Sequence, residues 1–378
     1  AIYKGQTRYD DELENFRVIM KITGTKNLPQ VAISWERNGI EATGDSAQIR
    51  NDALMKLIVG RTQAELFGRG SGGVGTRGLG NQLFQLAFAL SRNNQNIILD
   101  ASLGKPRKTT DVPDIQLFKL PNFISGESST REAPILFQKI AGFLLRIGVQ
   151  HKDSWWKNAV FHFQKFVCSF FLGIYFGKFL YTKVCQGVGY FVPKTSQREL
   201  VIGYFQTYKF FENDFVKTIL MGLEPINTNR KLIEYILEAK EKNPIFMHLR
   251  LSDYLAEKNF GICASEYYQE SISKLNDFGR EIWVFSDDSM MASMRLKTTG
   301  IRNLKYIDDI GFNPAQILHL FRFGGDYVIA NSSFSWWGAA LRFNQQARVI
   351  APTPWFLNMV EPTNLIPSNW LRVESRLE

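Results

Sequence analysis

The sequence predicts an α/β protein whose C-terminal part is a parallel, doubly wound sheet. Two observations carry this. After residue 243, short apolar runs alternate strictly with helical patterns. In addition, 378 residues with 45% hydrophobic content suffice for a sizeable core spread over two or three domains. In order, IFMHLRL, EIWVFSDD, LKYID, DYVIANSS and ARVIAP read as strands, the last closing the sheet. SEYYQESISKLN, SMMASMRLKTT, PAQILHLFRF and FSWWGAALRF read as the helices between them.

Upstream the pattern is less regular. Residues 1–66 read as a small β-containing module or an added segment, with FRVIMKIT and PQVAISWE as strands and Asn38-Gly39 as a turn. GRGSGGVGTRGLG (68–80) reads as a glycine-dense loop running into the helix NQLFQLAFALSRNN. NIILDA (96–101) is a short buried strand, and 102–134 is irregular. ELVIGYFQTYKFFEND (199–214) is a strand followed by a loop or helix, and NRKLIEYILEAKEKN (229–243) is an amphipathic helix. Residues 154–198 contain no Asp or Glu but many aromatics and six Lys or Arg. That stretch is an insertion with an aromatic core, a surface that lies on an anionic membrane, or a nucleic-acid surface where aromatics stack bases and Lys meets phosphates.

In doubly wound sheets ligands bind beyond the carboxyl ends of the strands, so HLRLSDY, FSDDS and NSSFS are the places to look. On strand parity Phe246, His248, Arg250 and Ser252 share one face, and Met247, Leu249 and Leu251 share the other. Arg250 and Asp253 form either a grip on a diphosphate, with Asp253 as a base, or an internal ion pair. Ser332 and Ser333 are N-cap candidates, and the helix start Asn331, Ser332, Ser333, Phe334, Ser335 is either a phosphate site or an ordinary capped helix. Asp287 and Asp288 either accept hydrogen bonds from a base or ribose or cap the next helix.

Net charge is +9, which favours anionic partners or serves solubility alone. Three cysteines are too few for a disulfide framework. Four histidines without metal-ligand spacing, and the lack of any Asp-x-Asp, point to a site without metal. The start shows no signal-peptide pattern, and FVCSFFLGIYFG (166–177) is too short to span a bilayer. The expected location is the cytoplasm, free or against the inner face of the plasma membrane.

Four stretches in order, GLGNQLFQLAFAL, GYFQTYKFF, HLRLSDY and NSSFSWWGAAL, resemble the motifs of the bacterial α-1,2-fucosyltransferases of glycosyltransferase family 11. WVFSDD and VIAPTPWF match family positions too, and the resemblance covers about 77–360. It implies a GT-B-like fold of two Rossmann-type domains facing a cleft, here an acceptor-side domain over 67–243 and a donor-binding domain over 244–378, with 1–66 appended. It implies an inverting transfer from GDP-fucose, without metal or other cofactor, to a hydroxyl of a galactoside, its O2, in a surface polysaccharide or lipid-linked oligosaccharide precursor. Nucleic acid is not an expected partner.

His248, Arg250, Asp253 and Tyr254 match the family's H-x-R-R-x-D-Y motif, in which Leu251 replaces the second Arg and Ser252 a usual Gly. Gly80, Asn81 and Gln82 of the glycine motif join the expected donor site. Arg250 and the NSSFS helix start would stabilise the leaving diphosphate, and Asp253 would take the acceptor proton. The family's apolar strand before its glycine motif has MKLIVG (55–60) as candidate. The alternatives are a non-catalytic nucleotide or glycan binder of the same fold, or a transferase that uses another nucleotide sugar.

Overall fold

A computed structural model describes residues 16–23, 30–37, 40–45, 54–58, 78–92, 96–100, 114–127, 136, 140, 163, 166–167, 170–171, 198–201, 203–252, 254, 260–276, 279–307, 311–358 and 361–378. The chain divides into two compact units, Ala1–Leu54 and Met55–Glu378. The first holds an antiparallel meander of β1 (Phe16–Thr23), β2 (Gln30–Arg37) and β3 (Ile40–Asp45). The two expected strands are present, and β2 pairs antiparallel with β3, with Arg37 opposite Ile40; the expected turn at Asn38-Gly39 lies outside the described residues.

The second unit contains two sheets. One has four strands in the order β6-β5-β4-β7, from β4 (Leu54–Ile58), β5 (Asn96–Asp100), β6 (Ile124–Glu127) and β7 (Arg198–Val201). Strand β4 is the apolar strand sought at MKLIVG. It pairs into this sheet, so the appended module ends earlier than residue 66. Strand β6 lies in the stretch expected to be irregular, because Pro and charged neighbours mask four strand residues.

The other sheet has six strands in the order β10-β9-β8-β11-β12-β13, all parallel: β8 (Ile245–Leu249), β9 (Ile282–Ser286), β10 (Leu304–Tyr306), β11 (Asp326–Val328), β12 (Val349–Thr353) and β13 (Leu371–Glu374). ARVIAP is therefore not the last strand, since β13 adds an edge beyond it. Strands β8 and β11 are also shorter than their apolar runs, so Arg250 and Asn331 already lie past the strand ends. With β4–β7 before residue 243 and β8–β13 after it, this is the α/β, GT-B-like arrangement the resemblance implies.

The helices follow the predicted alternation: α1 (Leu79–Leu90), α2 (Asp214–Met221), α3 (Arg230–Lys242), α4 (Ser265–Leu275), α5 (Ser289–Lys297), α6 (Pro314–Phe321) and α7 (Ser333–Ala340). Their ends obey local chemistry. Asn229 caps α3 through Leu232 N–H at 2.9 Å, and Asn243 ends it at φ 47. Asn313 and Gln316 form a reciprocal capping box on α6, with Pro314 at its first position.

Strand order in the six-stranded sheet creates an opening. The chain leaves β8 towards β9 and β10, then returns to β11 on the other side of β8. The carboxyl ends of β8 and β11 thus flank the topological switch point, where connections diverge. The two segments that extend from these strands are HLRLSDY and NSSFS.

Helix α1 joins the two sheets. All its residues except Asn81 are buried, and each turn uses three faces. Gly80 and Phe84 face α7, where the Phe84 ring lies 4.7 Å from Trp336 and 4.9 Å from Trp337. Asn81, Gln85 and Phe88 face the segment after β7: Gln85 Nε2 donates to Gly203 O at 2.8 Å, and Phe88 stacks on Phe205 at 4.1 Å. Gln82 accepts from Ile115 N–H at 2.8 Å. Each large apolar side chain so buried contributes about 1.5–3 kcal/mol. Buried Arg322 ties the next layer, donating to Met221, Leu223 and Leu341 carbonyls at 2.6, 2.9 and 2.9 Å.

Candidate active site at the switch point

The alternation inferred for FMHLRL holds past the strand end. Met247, Leu249 and Leu251 sit in one apolar cluster with Ile245 and Tyr268. Phe246 lies in the other cluster, on the face shared with His248 and Arg250. Leu251 is wholly buried. The residue that replaces the family's second arginine is thus a core residue of the opposite face, and its side chain is not among the polar groups of the site.

Arg250 is buried, and its Nε stands 3.5 Å from Asp287 Oδ2. Asp287 also accepts from Leu251 N–H at 2.8 Å, Ser252 N–H at 3.1 Å and the Ser252 hydroxyl. Burial opposes ionisation of this carboxyl. The Arg250 charge and those hydrogen bonds outweigh it and hold the group below the usual carboxylate range. Arg250 thus pairs with Asp287, one strand over; the alternatives drawn for Arg250 with Asp253 rest on a residue that lies outside the described residues. Asp288 takes the capping alternative, accepting from Met291 N–H at 2.9 Å as N-cap of α5.

Tyr254 joins the two post-strand segments by donating its hydroxyl to Asn331 O at 3.1 Å, and its ring centre lies 5.8 Å from the Arg250 guanidinium. The Asn331 side chain is committed elsewhere. Its Nδ2 donates to the Phe260, Gly261 and Trp355 carbonyls at 3.1–3.2 Å. Asn331 therefore organises loops rather than offering its amide to a ligand. The Ser335 hydroxyl donates back to Ser332 O at 3.2 Å.

Ser332 occupies the N-cap of α7, as expected, yet its hydroxyl makes no cap hydrogen bond. Helix α1 likewise starts at Gly78, φ 118, without a side-chain cap. These two starts touch. A Cβ on Gly80 would lie 2.4 Å from Ser333 C, 2.5 Å from Phe334 N and 2.6 Å from Ser333 Oγ, so only glycine fits. Each uncapped start carries unpaired N–H groups and about half a positive charge. Two of them in contact favour an anion with several oxygens. Gln82 is turned away towards Ile115 and takes no part.

His248 completes the floor. It is buried, its ring 5.9 Å from Phe334, and Nδ1 finds no hydrogen-bond partner among the described residues. Burial, then the Arg250 charge, pushes its pKa down to about 3, so the imidazole is neutral at physiological pH. Sequence reasoning overlooked Gln206, whose Nε2 donates to Asn81 Oδ1 at 2.8 Å. Its only signal was membership of the GYFQTYKFF motif. Among the described residues no three His, Cys, Asp or Glu side chains gather as metal ligands.

Two substitutions test this arrangement. Leu251→Arg places an unpaired charge in the apolar cluster and should cost about 3–5 kcal/mol in urea unfolding; an unchanged midpoint would contradict the assignment of Leu251 to the core. The second concerns pH. Above about 6.5 His248 is neutral in both folded and unfolded chains, and stability is at its full value. Below that the unfolded chain binds a proton that the folded one refuses until pH falls to about 3. Stability should therefore fall towards acid by about 1.4 kcal/mol per pH unit from this group. His319, lowered to about 4 by burial and then Arg322, adds a second term of the same sign. His248→Gln should roughly halve the slope of unfolding free energy between about pH 6 and 4.5.

The family profile of glycosyl transferase family 11 matches residues 195–372. An alpha-1,2-colitosyltransferase of Escherichia coli is 32% identical over 187 residues, 46% of this chain and 62% of that protein. The O-antigen biosynthesis glycosyltransferase WbnK of Escherichia coli is 26% identical over 137 residues, 35% of this chain and 45% of that protein. The matched segments thus span about half to three-fifths of these relatives. Among solved structures, the fucosyltransferase NodZ from Bradyrhizobium aligns over 78% of this chain and 94% of its own, at 12% identity and a TM-score of 0.39. The matched span, just under half of the chain, holds β7 to β13, and with them both segments at the switch point: over residues 195–372 the chain is similar to glycosyltransferase family 11.

Proposed function

We propose that the chain is an inverting, metal-independent fucosyltransferase that moves fucose from GDP-fucose to a hydroxyl, the O2 of a galactoside in a surface-glycan precursor. The observation that carries the reading is the meeting of two uncapped helix starts, one of them following β11, the strand next to β8, which leads into Arg250. In the reaction the bond from the sugar's C1 to the diphosphate oxygen breaks as the acceptor hydroxyl attacks C1 from the opposite face. Negative charge grows on the diphosphate, where the guanidinium and helix amides become more strongly engaged than in the ground state. The hydroxyl proton goes to a carboxylate, for which Asp253 is the candidate. Neutral His248 presents a hydrogen-bonding nitrogen without adding charge. A colitosyl donor is the second reading, favoured by the relative that carries that activity in its name.

A screen of nucleotide sugars with galactoside acceptors, in EDTA, reads this directly. GDP release from GDP-fucose is expected, and Arg250→Lys should lower turnover roughly 10²–10³-fold while keeping a charge beside Asp287. Release of UDP only, or a fully active Arg250→Lys, would overturn the assignment.

The acceptor's carrier suggests the second part of the proposal, that the chain works against an anionic bilayer. Phe163, Phe166, Phe170 and Phe171 are helical and 69, 70, 54 and 47% exposed. Their spacing puts them on one helix face. They lie in the stretch 154–198, which has no acidic residue and includes Lys157, Lys165, Lys178, Lys183, Lys194 and Arg198. Apolar insertion with basic flanks, at about 1 kcal/mol per Lys or Arg, suits anionic lipid. Among the described residues no helix is long and apolar enough to cross a membrane. The chain should co-sediment with phosphatidylglycerol vesicles and not with phosphatidylcholine, and replacing the four phenylalanines by Ser should abolish it. Retained binding, or a dimer lost in that variant without lipid, would assign the face otherwise.

A further inference from the structure

Gln206 lies outside the described contacts of the donor site, yet three features converge on it. Its side chain is buried, 7% exposed, and its Oε1 finds no hydrogen-bond partner among the described residues. The residue before it, Phe205, has φ 52 while wholly buried, a conformation costing a bulky residue about 1–3 kcal/mol. The residue after it, Thr207, is pinned by its hydroxyl to Asn364 O at 2.8 Å. Phe205 is held by its stack on Phe88, at 4.1 Å and 8° between planes. The backbone is thus fixed on both sides in a strained geometry, and what it aims is the Gln206 amide at Asn81.

Asn81 directly follows Gly80, the residue in contact with the first turn of α7. Its Oδ1 accepts from Gln206 Nε2 at 2.8 Å. Its Nδ2 makes no hydrogen bond among the described residues. A carboxamide can present either its donor or its acceptor, and the partner on one side decides which. Were both amides reversed, Gln206 would leave two unmet N–H donors in place of one N–H and one carbonyl, the costlier arrangement because an orphaned N–H is tolerated less well than an under-satisfied carbonyl.

We propose that Gln206 is a positioning residue that locks the Asn81 carboxamide with its Nδ2 as an additional donor to the leaving diphosphate. This rests on the nucleoside-diphosphate reading of the site above and names a residue that acts through another. It assigns the strain at Phe205 a purpose: a relaxed backbone would not aim the Gln206 amide at the first turn of α1.

A double-mutant cycle on GDP binding, measured by calorimetry with the full chain, tests it. Gln206→Met keeps the volume and removes the lock, and should weaken GDP binding about 5- to 20-fold. Gln206→Glu attracts Nδ2 to itself and should weaken it about 10- to 100-fold, the range of a hydrogen bond to a charged group. In an Asn81→Ala background Gln206→Met should change affinity less than twofold. Urea unfolding of the unliganded variants separates folding from binding; should Gln206→Met not fold, Gln206→Glu is read in the same cycle. Undiminished affinity in the single variant, or the same loss in the Asn81→Ala background, overturns the inference while leaving the donor reading intact. A wild-type chain that binds no GDP defeats both.

Discussion

At Gly80 the backbone of helix α1 comes so close to the first turn of α7 that a single methyl group would collide with Ser333 and Phe334. The rest of the site depends on that approach. It brings a helix from the four-stranded sheet against a helix from the six-stranded one, with neither start capped by a side chain. Two positive helix ends in contact repel each other, and in an apolar surrounding nothing screens them. The arrangement persists because Phe84, Trp336 and Trp337 pack behind it.

The charged part of the site is stabilised from the sheet rather than from the helices. Arg250 would be costly to bury alone. Asp287, at the end of the adjacent strand, compensates it and at the same time holds the turn that begins at Leu251. This leaves the guanidinium partly neutralised at rest. A guanidinium fixed in this way is a donor that need not reorganise when charge develops nearby. The neutral state of His248 serves the same end: a second cation beside Arg250 would raise the cost of the empty site.

Similarity to a transferase family does not make every motif residue a ligand. Asn331 is stitched to three carbonyls and keeps the loops after β8 and β12 together. Asp288 caps α5, and Gln82 holds the turn at Ile115. Leu251 shows the reverse case. Its departure from the family pattern falls on the buried face, where leucine is the residue that the core favours.

Much of this was determined by the sequence itself. Alternating apolar runs and helical stripes dictated a parallel sheet, because only crossover helices can connect parallel neighbours. The period of two in FMHLRL was enough by itself to separate Arg250 from Leu251. Local chemistry also set the caps at Asn229 and Asn313. Other features are long-range and leave no local mark. The partner of Arg250 is 37 residues away, on an adjacent strand. The need for glycine at position 80 comes from a helix about 250 residues later. The lock on Asn81 comes from residue 206 through a backbone bent against its own preference. Periodicity reports which face of an element is buried; only the assembled sheets decide what that face meets, since strand order and close approach are properties of the packed chain and not of any segment within it.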